Sequence, residues 1–236
     1  MRLLVTRPEP DASRLAERLA ALDHEAVIEP LMAVSFEDCD PIEIAEAQAL
    51  IATSRNGLAG LEAQGAARIA SGLPLFAVGK ATAAAARALG FDLIVTGAGT
   101  VHDLVPQIVS ACDPHAGFLV HLAGDVAAAD IGAELEPHGF RVDAPVVYRM
   151  RPATALSEPV FEQLAAGLID GVLLFSPRTA TIYVELVNKY HLSASVRQLT
   201  HYCLSKHVAR RLAPLGAIRI ETAAEPTLPA MLELLT

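Results

Sequence analysis

Short strand-like runs alternate with longer helical stretches along almost the whole of this 236-residue chain. Leu3 to Val5 has the composition of a strand, and Asp11 to Leu22 places Leu15 and Leu19 on one helical face, with Asp11 as the expected N-cap. Parallel strands need a crossover connection, usually a helix, so this alternation predicts an α/β fold with parallel sheets. The same order recurs in five later segments, residues 50–62, 76–89, 118–136, 172–186 and 202–212.

Several of these segments match one another, which indicates an internal duplication. Residues 78–83 (VGKATA) match residues 204–209 (LSKHVA) at an offset of 204 minus 78, or 126. Residues 52–55 match residues 174–177 at an offset of 122, and the opening strand and helix match residues 120–136 at 116. Loop insertions explain the drift of the offset. The sequence therefore predicts two similar α/β halves of roughly 100 to 120 residues, within the usual domain range.

Two extended segments flanked by prolines, residues 31–36 and 146–150, differ from the rest of the pattern. Proline suits edge or linker strands better than the interior of a sheet, because it cannot donate a ladder hydrogen bond. These segments can pair as a two-stranded connection between the halves, and the halves need not be consecutive in the chain.

Composition and charge exclude several classes of protein. The 18 basic and 27 acidic residues give a net charge of -9, which argues against nucleic acid or an anionic membrane as the main partner. No apolar run approaches the roughly 20 residues of a membrane-spanning helix, and no export signal is visible, so we expect a cytoplasmic protein. The cysteines Cys39, Cys112 and Cys203 form no CxxC pair, which predicts buried thiols in a reducing compartment.

Five basic residues fall at turns between a strand and the following helix: Arg7, Arg55, Lys80, Arg178 and Lys206. Ligands of open parallel sheets bind at the carboxyl ends of the strands, where helix N-termini present free N–H groups. The neighbouring residues are small and polar, so these turns suit carboxylates or phosphates. Ser, Thr and Asn also cap helices for purely structural reasons. Because the pattern repeats in both halves, we favour anion binding.

Other constellations are missing or weak. The chain has no G-x-G-x-x-G after a strand, no P-loop and no G-x-S-x-G, and its eight histidines lack the spacing of metal ligands. These absences argue against a dinucleotide and against a metal site built from histidines, and we expect the histidines at the surface or at helix caps. Tyr148 differs because it stands in the Pro145–Pro152 connection beside two arginines. A phenol can donate a proton to a departing hydroxyl, although a tyrosine on an extended segment can also simply pack.

Motifs along essentially the full chain, each weak alone, occur together in a specific order. They are Thr6-Arg7-Pro8, Thr53-Ser54-x-Asn56-Gly57, Val78-Gly79-x-x-Thr82-Ala83 with Leu89-Gly90-Phe91, Val147-Tyr148 before Pro152, Phe175-Ser176-Pro177 and Pro226-Thr227. This order resembles the uroporphyrinogen-III synthase family.

The resemblance implies two flavodoxin-like lobes joined by a two-stranded linker. Residues 1–33 plus 153–236 would form the first lobe, residues 38–147 the second, and residues 34–37 and 148–152 the linkers. It also implies a lyase of tetrapyrrole biosynthesis, serving heme, siroheme, cobalamin or chlorophyll. Hydroxymethylbilane, a linear polycarboxylate that can close by itself to the wrong isomer, would be dehydrated and cyclised with inversion of ring D through a spiro intermediate. Neither cofactor nor metal takes part.

Further expectations concern partners. The resemblance implies a cytoplasmic monomer with no nucleic acid or membrane partner, which receives the bilane from the preceding deaminase by a transient handover.

Site residues follow from the resemblance position by position. Tyr148 would assist the loss of hydroxide from ring A, and Thr53, Ser54, Thr82 and Ser176 would hold carboxylates. Arg7 of the Thr6-Arg7-Pro8 motif would also bind substrate. Lys80, Arg178 and Lys206 would complement the negative charge, which is inferred from their position at the turns rather than from a family motif. The chain departs from the family where Ser205 and Val208 replace Gly and Thr, and where Ala123 replaces a frequent arginine. Carboxylate contacts there can fall to His121, Lys206 or His207.

Two other classes stay open at this point. A non-catalytic two-lobe protein that binds or senses a small anion would show similar lobes and linkers. A two-lobe racemase or transferase acting on a small acid is the other alternative. The missing pair of thiols counts against the racemase, and the missing nucleotide fingerprint counts against the transferase.

Overall fold

The computed structural model describes residues 1–126 and 130–235 and consists of short parallel strands connected by helices. The strands are β1 (Arg2–Val5), β2 (Glu25–Ile28), β3 (Met32–Ser35), β4 (Ala47–Ala52), β5 (Leu75–Ala77), β6 (Ile94–Thr96), β7 (Phe118–His121), β8 (Ala123–Gly124), β9 (Val142–Asp143), β10 (Val146–Pro152), β11 (Gly171–Leu174), β12 (Thr200–Cys203) and β13 (Arg219–Thr222). The helices are α1 (Asp11–Ala20), α2 (Arg55–Ala63), α3 (Ala67–Ala70), α4 (Lys80–Ala88), α5 (Val105–Ala111), α6 (Ile131–Leu135), α7 (Glu158–Ala165), α8 (Pro177–Lys189), α9 (Ser193–Val196), α10 (Lys206–Arg210) and α11 (Leu228–Glu233).

The chain divides into two compact units. Unit 1 contains residues 1–33 and 151–236, and unit 2 contains residues 34–150. Unit 1 has a parallel sheet of order β13-β12-β11-β1-β2, and unit 2 has a parallel sheet of order β6-β5-β4-β7-β9. The predicted α/β class with parallel sheets is confirmed.

The strands of the two sheets have the same spatial arrangement, but the first strand along the chain takes a different place in each sheet. When the strands of unit 1 are numbered along the chain, their order from the β2 edge is 2-1-3-4-5, which is the flavodoxin-like order. If the numbering begins at β11 instead, and β1 and β2 follow β13, the order read from the β13 edge is 3-2-1-4-5. Unit 2 has the same order when it is read from the β6 edge. Register agrees as well, because Val5 is opposite Leu173 in unit 1 and His121 is opposite Ile51 in unit 2. Ile51 and Leu173 differ by 122 positions, the offset found in the sequence.

The connecting strands belong to a three-stranded sheet of order β3-β10-β8. The sequence predicts only two extended segments here, residues 31–36 and 146–150, with linkers at residues 34–37 and 148–152. The third strand, β8, forms because Ala123 N donates to the Pro145 carbonyl and Asp125 N donates to the Tyr148 carbonyl, both at 3.1 Å. The Asp125 carboxylate also accepts from Met150 N at 3.0 Å. Strand β10 pairs with β3 along one edge and with β8 along the other.

The inner strands of each sheet are buried on both faces, which explains why they are largely apolar runs rather than alternating ones, whereas the edge strands β2, β6, β9 and β13 are partly exposed. In β4, Leu50 and Ala52 belong to one hydrophobic cluster, and Ala49 and Ile51 belong to the cluster on the opposite face. A methyl group on Gly57 of α2 would lie 2.6 Å from the Leu122 carbonyl oxygen, so this helix packs directly against the backbone. This close approach fixes the start of α2 near the carboxyl end of β7.

Two local predictions need correction. Asp11 is the first residue of α1, and Pro10 takes the N-cap position. The carboxylate of Asp11 instead accepts from Arg7 Nη2 at 2.7 Å, so the charge of Arg7 holds it beside the first turn. The prediction of buried thiols holds only for Cys203, which is fully buried, because the thiols of Cys39 and Cys112 are half-buried.

No helix among residues 1–126 and 130–235 is long and apolar enough to cross a membrane.

Candidate active site

A pocket of about 470 Å³ opens in unit 2 at the carboxyl ends of β4 and β7. From β4 the chain continues to one edge of the sheet, through β5 to β6, whereas β7 leads to the other edge through β9. Such a reversal is where ligands bind in open α/β sheets, because the connections leave in opposite directions and open a crevice. The pocket is lined by Thr53, Ser54, Val78, Gly99, Thr100, Val101, His102, His121, Gly124, Val126 and Tyr148.

Ser54 connects the start of α2 to the tyrosine of the pocket. Its Oγ accepts from Gly57 N at 3.2 Å as the N-cap of α2, and it donates to Tyr148 Oη at 3.2 Å. A phenol oxygen can accept this bond and still donate its own hydrogen. The arrangement therefore leaves the Tyr148 hydrogen available to a ligand in the pocket.

The ring of Tyr148 lies directly over Gly124. These two residues are opposite each other where β10 pairs with β8, next to an irregularity between Val146 and Tyr148. A Cβ on Gly124 would come within 2.5 Å of Tyr148 Cζ. Only glycine at this position lets the ring occupy its place.

A second hydrogen-bonded pair stands beside the first. His121 ends β7 and is only 6% exposed, and its Nε2 lies 3.1 Å from Thr53 Oγ1. Burial lowers the pKa of His121 below its ordinary value of 6.5, although the nearby Asp130 carboxylate partly opposes this. The imidazole is therefore neutral at pH 7.

The expectation of surface or capping histidines is wrong for His121. Its position at the carboxyl end of a strand was the signal that could have singled it out, whereas a search for metal-ligand spacing could not. Among the described residues, no group of three or more His, Cys, Asp or Glu side chains is placed to hold a metal ion.

The loop between β6 and α5 closes one side of the pocket. The Asp103 carboxylate accepts from Thr100 N at 2.9 Å and from Thr100 Oγ1 at 2.7 Å. These hydrogen bonds lower the pKa of Asp103 below its usual range. His102 Nδ1 lies 2.8 Å from a carboxylate oxygen of Glu134, which orients the His102 ring. The loop is thus held by its own side chains and by Glu134 of α6.

A smaller pocket, of about 240 Å³, occupies the corresponding place in unit 1, at the ends of β1 and β11. It is lined by Thr6, Arg7, Pro8, Phe175, Ser176 and Thr179. The Arg7 guanidinium carbon is 4.8 Å from the centroid of the Phe175 ring, and Ser176 Oγ accepts from Thr179 N at 3.1 Å. A cation and a hydroxyl therefore meet where the strand order of unit 1 reverses.

The structure brings together some of the predicted site residues. Thr53, Ser54 and Tyr148 line the pocket of unit 2, and Arg7 and Ser176 line the pocket of unit 1. The remaining four line neither of these two pockets as described: Lys80, Thr82, Arg178 and Lys206.

These four residues stand at or near helix starts. Lys80 and Lys206 are exposed first residues of α4 and α10, and Arg178 is the second residue of α8. Thr82 is buried, with 5% of its surface exposed, on the face of α4 that carries Ala83 and Ala86. At the departure from the family motif, Ser205 caps α10 by accepting from Val208 N at 3.4 Å.

Together, the fold and the pockets define a class: a duplicated α/β protein whose two flavodoxin-type units each carry a polar pocket at the reversal of strand order. A family model described as uroporphyrinogen-III synthase HemD matches residues 13–233, nearly the whole chain. The chain belongs to the uroporphyrinogen-III synthase family.

Solved structures agree with this assignment at the level of the fold. Uroporphyrinogen-III synthetase from Helicobacter pylori superposes with a TM-score of 0.62 at 17% identity, covering 100% of this chain and 98% of that one. A mutant uroporphyrinogen III synthase from Thermus thermophilus gives a TM-score of 0.50 at 17% identity, covering 100% and 97%. No curated protein matches the sequence significantly.

These findings confirm the predicted family and the enzyme class, a lyase of tetrapyrrole biosynthesis. The family acts on hydroxymethylbilane as its substrate. The alternative of a non-catalytic anion-binding protein is not favoured.

Proposed function

We propose that the pocket of unit 2 is where this synthase performs its chemistry on hydroxymethylbilane, with Tyr148 as the catalytic residue. The observation that carries the proposal is the bond from Ser54 Oγ to Tyr148 Oη in that pocket, because it leaves the tyrosine hydrogen available. Family membership supplies the reaction, a dehydrating cyclisation with inversion of ring D through a spiro intermediate.

The proposed role of Tyr148 is that of a general acid. The carbon–oxygen bond of the ring A hydroxymethyl group breaks, the Tyr148 proton joins the departing oxygen, and water leaves. Ring D then attacks through its substituted carbon and forms the new carbon–carbon bond of the spiro intermediate. After rearrangement, a ring carbon loses its proton to restore the aromatic pyrrole, and this proton returns to the tyrosinate. Such proton transfer commonly contributes about 10² to 10⁴ in rate.

Substrate binding is assigned to hydroxyl groups and cations of both units. In unit 2, Thr53 would hold carboxylates through its hydroxyl and Ser54 through its backbone N–H, since the Ser54 hydroxyl hydrogen goes to Tyr148. In unit 1, Ser176 with Arg7 would hold carboxylates. Lys80, Arg178 and Lys206 would attract the polyanionic bilane from the helix starts, although the protein carries a net charge of -9. Thr82 is assigned through the backbone at the start of α4, since its side chain is buried.

The remaining proposals concern the setting of the enzyme. We propose a cytoplasmic monomer that uses neither cofactor nor metal, has no nucleic acid or membrane partner, and receives the bilane by a transient handover from the preceding deaminase. The acidic net charge supports the absence of a nucleic-acid partner, since a polyanion would be repelled.

A coupled assay tests the catalytic assignment. Hydroxymethylbilane is generated in situ, the protein is added, and type I and type III uroporphyrins are separated after oxidation. We expect the wild type to give type III, and Tyr148→Phe to lower kcat by roughly a hundredfold or more with little change in KM. Tyr190→Phe is the matched control, because the Tyr190 ring packs against Phe161 in unit 1.

The outcomes separate the levels of the proposal. Wild-type protein that yields only type I at the uncatalysed rate would contradict the synthase activity itself. Type III formation by Tyr148→Phe at the wild-type rate would leave the activity in place and remove Tyr148 from it.

A further inference from the structure

The two units differ at one pair of matched positions beside their pockets. His121 and Ile51 are opposite each other in unit 2, as Val5 and Leu173 are in unit 1. His121 therefore occupies the place of Val5. By the same offset of 122, Thr53 occupies the place of Phe175.

The fold does not require polar residues at these positions. In unit 1, Val5 is fully buried, and Phe175 packs against the same hydrophobic cluster. Unit 2 instead buries an imidazole, which costs free energy unless its nitrogens are hydrogen-bonded. Val5 and Phe175 show that an apolar pair is sufficient for packing at these strand ends. Packing therefore does not explain why unit 2 has His121 and Thr53 there.

We propose that His121 is a positioning residue of the active site, which holds the Thr53 hydroxyl in a fixed orientation toward the substrate. The proposal rests on the proposed function and deepens it. The 3.1 Å contact between His121 Nε2 and Thr53 Oγ1 carries it, together with the presence of both residues in the lining of the pocket.

The neighbourhood of the pair explains what such positioning achieves. Thr53 directly precedes Ser54, which donates to Tyr148. Two consecutive hydroxyl groups at the end of β4 are thus each held by a ring from another strand, His121 from β7 and Tyr148 from β10. A substrate group bound by Thr53 is thereby placed relative to the Tyr148 hydrogen. Rates depend steeply on such placement, since a misplacement of about 1 Å can cost a hundredfold.

A double-mutant cycle tests the proposal. His121→Val installs the residue that unit 1 uses at this position, and Thr53→Val removes the hydroxyl while keeping the branched shape. We expect each to lower kcat/KM for type III formation by about tenfold or more. The double variant should be no worse than either single one, because both remove the same interaction.

Conservative replacement and a surface control complete the design. His121→Gln can still hydrogen-bond to Thr53, so we expect its kcat/KM within about threefold of the wild type. When His121→Gln is combined with Thr53→Val, the glutamine has no hydroxyl to bind, so we expect kcat/KM to be as low as that of Thr53→Val alone. His138→Gln is the control, since His138 is an exposed histidine of the same unit. Melting temperatures of all variants show whether any loss reflects unfolding.

Three results would overturn the proposal. One is a His121→Val variant that stays folded and keeps the wild-type kcat/KM. Another is a cycle in which the free-energy effects of His121→Val and Thr53→Val on kcat/KM simply add in the double variant. The third is a His121→Gln variant whose kcat/KM is as low as that of His121→Val. If His121→Val does not fold, Thr53→Val with and without His121→Gln decides the question. A wild type that forms no type III product would instead refute the proposed function, so the two failures are distinguishable.

Discussion

His201 in unit 1 makes the stability of this protein depend on pH in a specific range. The residue is fully buried in β12, and its Nδ1 lies 3.2 Å from the Arg219 carbonyl oxygen while its Nε2 lies 3.2 Å from Tyr183 Oη. A carbonyl oxygen can only accept, so Nδ1 carries the hydrogen of the neutral ring and Nε2 accepts from Tyr183. Burial lowers the pKa of His201 from 6.5 to about 4, and the hydrogen bonds to the backbone oppose this only partly.

The sign of the effect follows from proton binding. Above pH 6.5 the ring is neutral in both the folded and the unfolded state. Between pH 6.5 and about 4 the unfolded chain takes up a proton that the folded protein does not, so the free energy of unfolding decreases as the pH falls. The difference between the two pKa values, at about 1.4 kcal/mol per pH unit, is worth about 3 kcal/mol. Below pH 4 both states are protonated and His201 causes no further loss.

The experiment compares the wild type with His201→Gln, which does not titrate in this range. Hydrogen exchange of peptides covering β12 at pH 7 and pH 4.5 reports the opening free energy of unit 1 itself. This readout is preferable because two units need not unfold as a single step. We expect the wild type to lose about 2 kcal/mol more than the variant between these pH values. Carboxylates and His121 titrate in both proteins and cancel in the comparison. An equal loss in both proteins would refute the assignment of a depressed pKa to His201.

Two further predictions concern the pocket of unit 2. Gly124→Ala should reduce type III formation to about the level of Tyr148→Phe, because the added methyl group displaces the Tyr148 ring. Gly72→Ala is the control and should keep the wild-type activity in the same assay, because a methyl group on Gly72 has no atom within 4 Å. Ser54→Ala and Ser205→Ala each remove a helix cap and should each cost about 1 kcal/mol in urea unfolding. Only Ser54→Ala should also lower kcat, because only Ser54 holds the tyrosine, and equal activity losses in the two variants would contradict this role.

Local composition was sufficient to predict most of the fold. The inner strands of both parallel sheets are largely buried apolar runs, and the duplication preserved their register, so the sequence pattern and the structure agree there. The edge strands β2, β6, β9 and β13 are short and partly exposed, and the pattern did not predict them. Strand β8 could not be predicted in this way. It has two residues, Ala123 and Gly124, and it is extended only because β10 lies beside it. A tertiary contact, rather than local preference, forms this strand.

The site was predictable where a motif directly follows a strand and unpredictable where two distant positions meet. Thr53, Ser54 and Tyr148 were predicted through their motifs, and His121 was named as a possible carboxylate contact. The contact between Thr53 and His121 was not predicted, because the two residues are 68 positions apart and meet only through the pairing of β4 with β7. Thr82 shows the opposite case. Its motif suggested a hydroxyl in the site, whereas the helical phase of α4 directs the side chain into the core.

Helix capping and ligand binding are alternative explanations for a hydroxyl residue at these turns, but the two roles are compatible at the same hydroxyl. Four described hydroxyl side chains cap their helices in the same way, each accepting from the backbone N–H three residues on: Ser54, Ser176, Ser205 and Thr227. Accepting this bond uses a lone pair of the oxygen and leaves the O–H free to donate. The structural explanation is therefore correct at all four positions and excludes a functional role at none of them. What distinguishes Ser54 is where its hydrogen goes, to Tyr148 across 94 residues of chain. The sequence marks where each helix begins, and the pairing of β10 with β8 decides which cap lies against Tyr148 in the proposed active site.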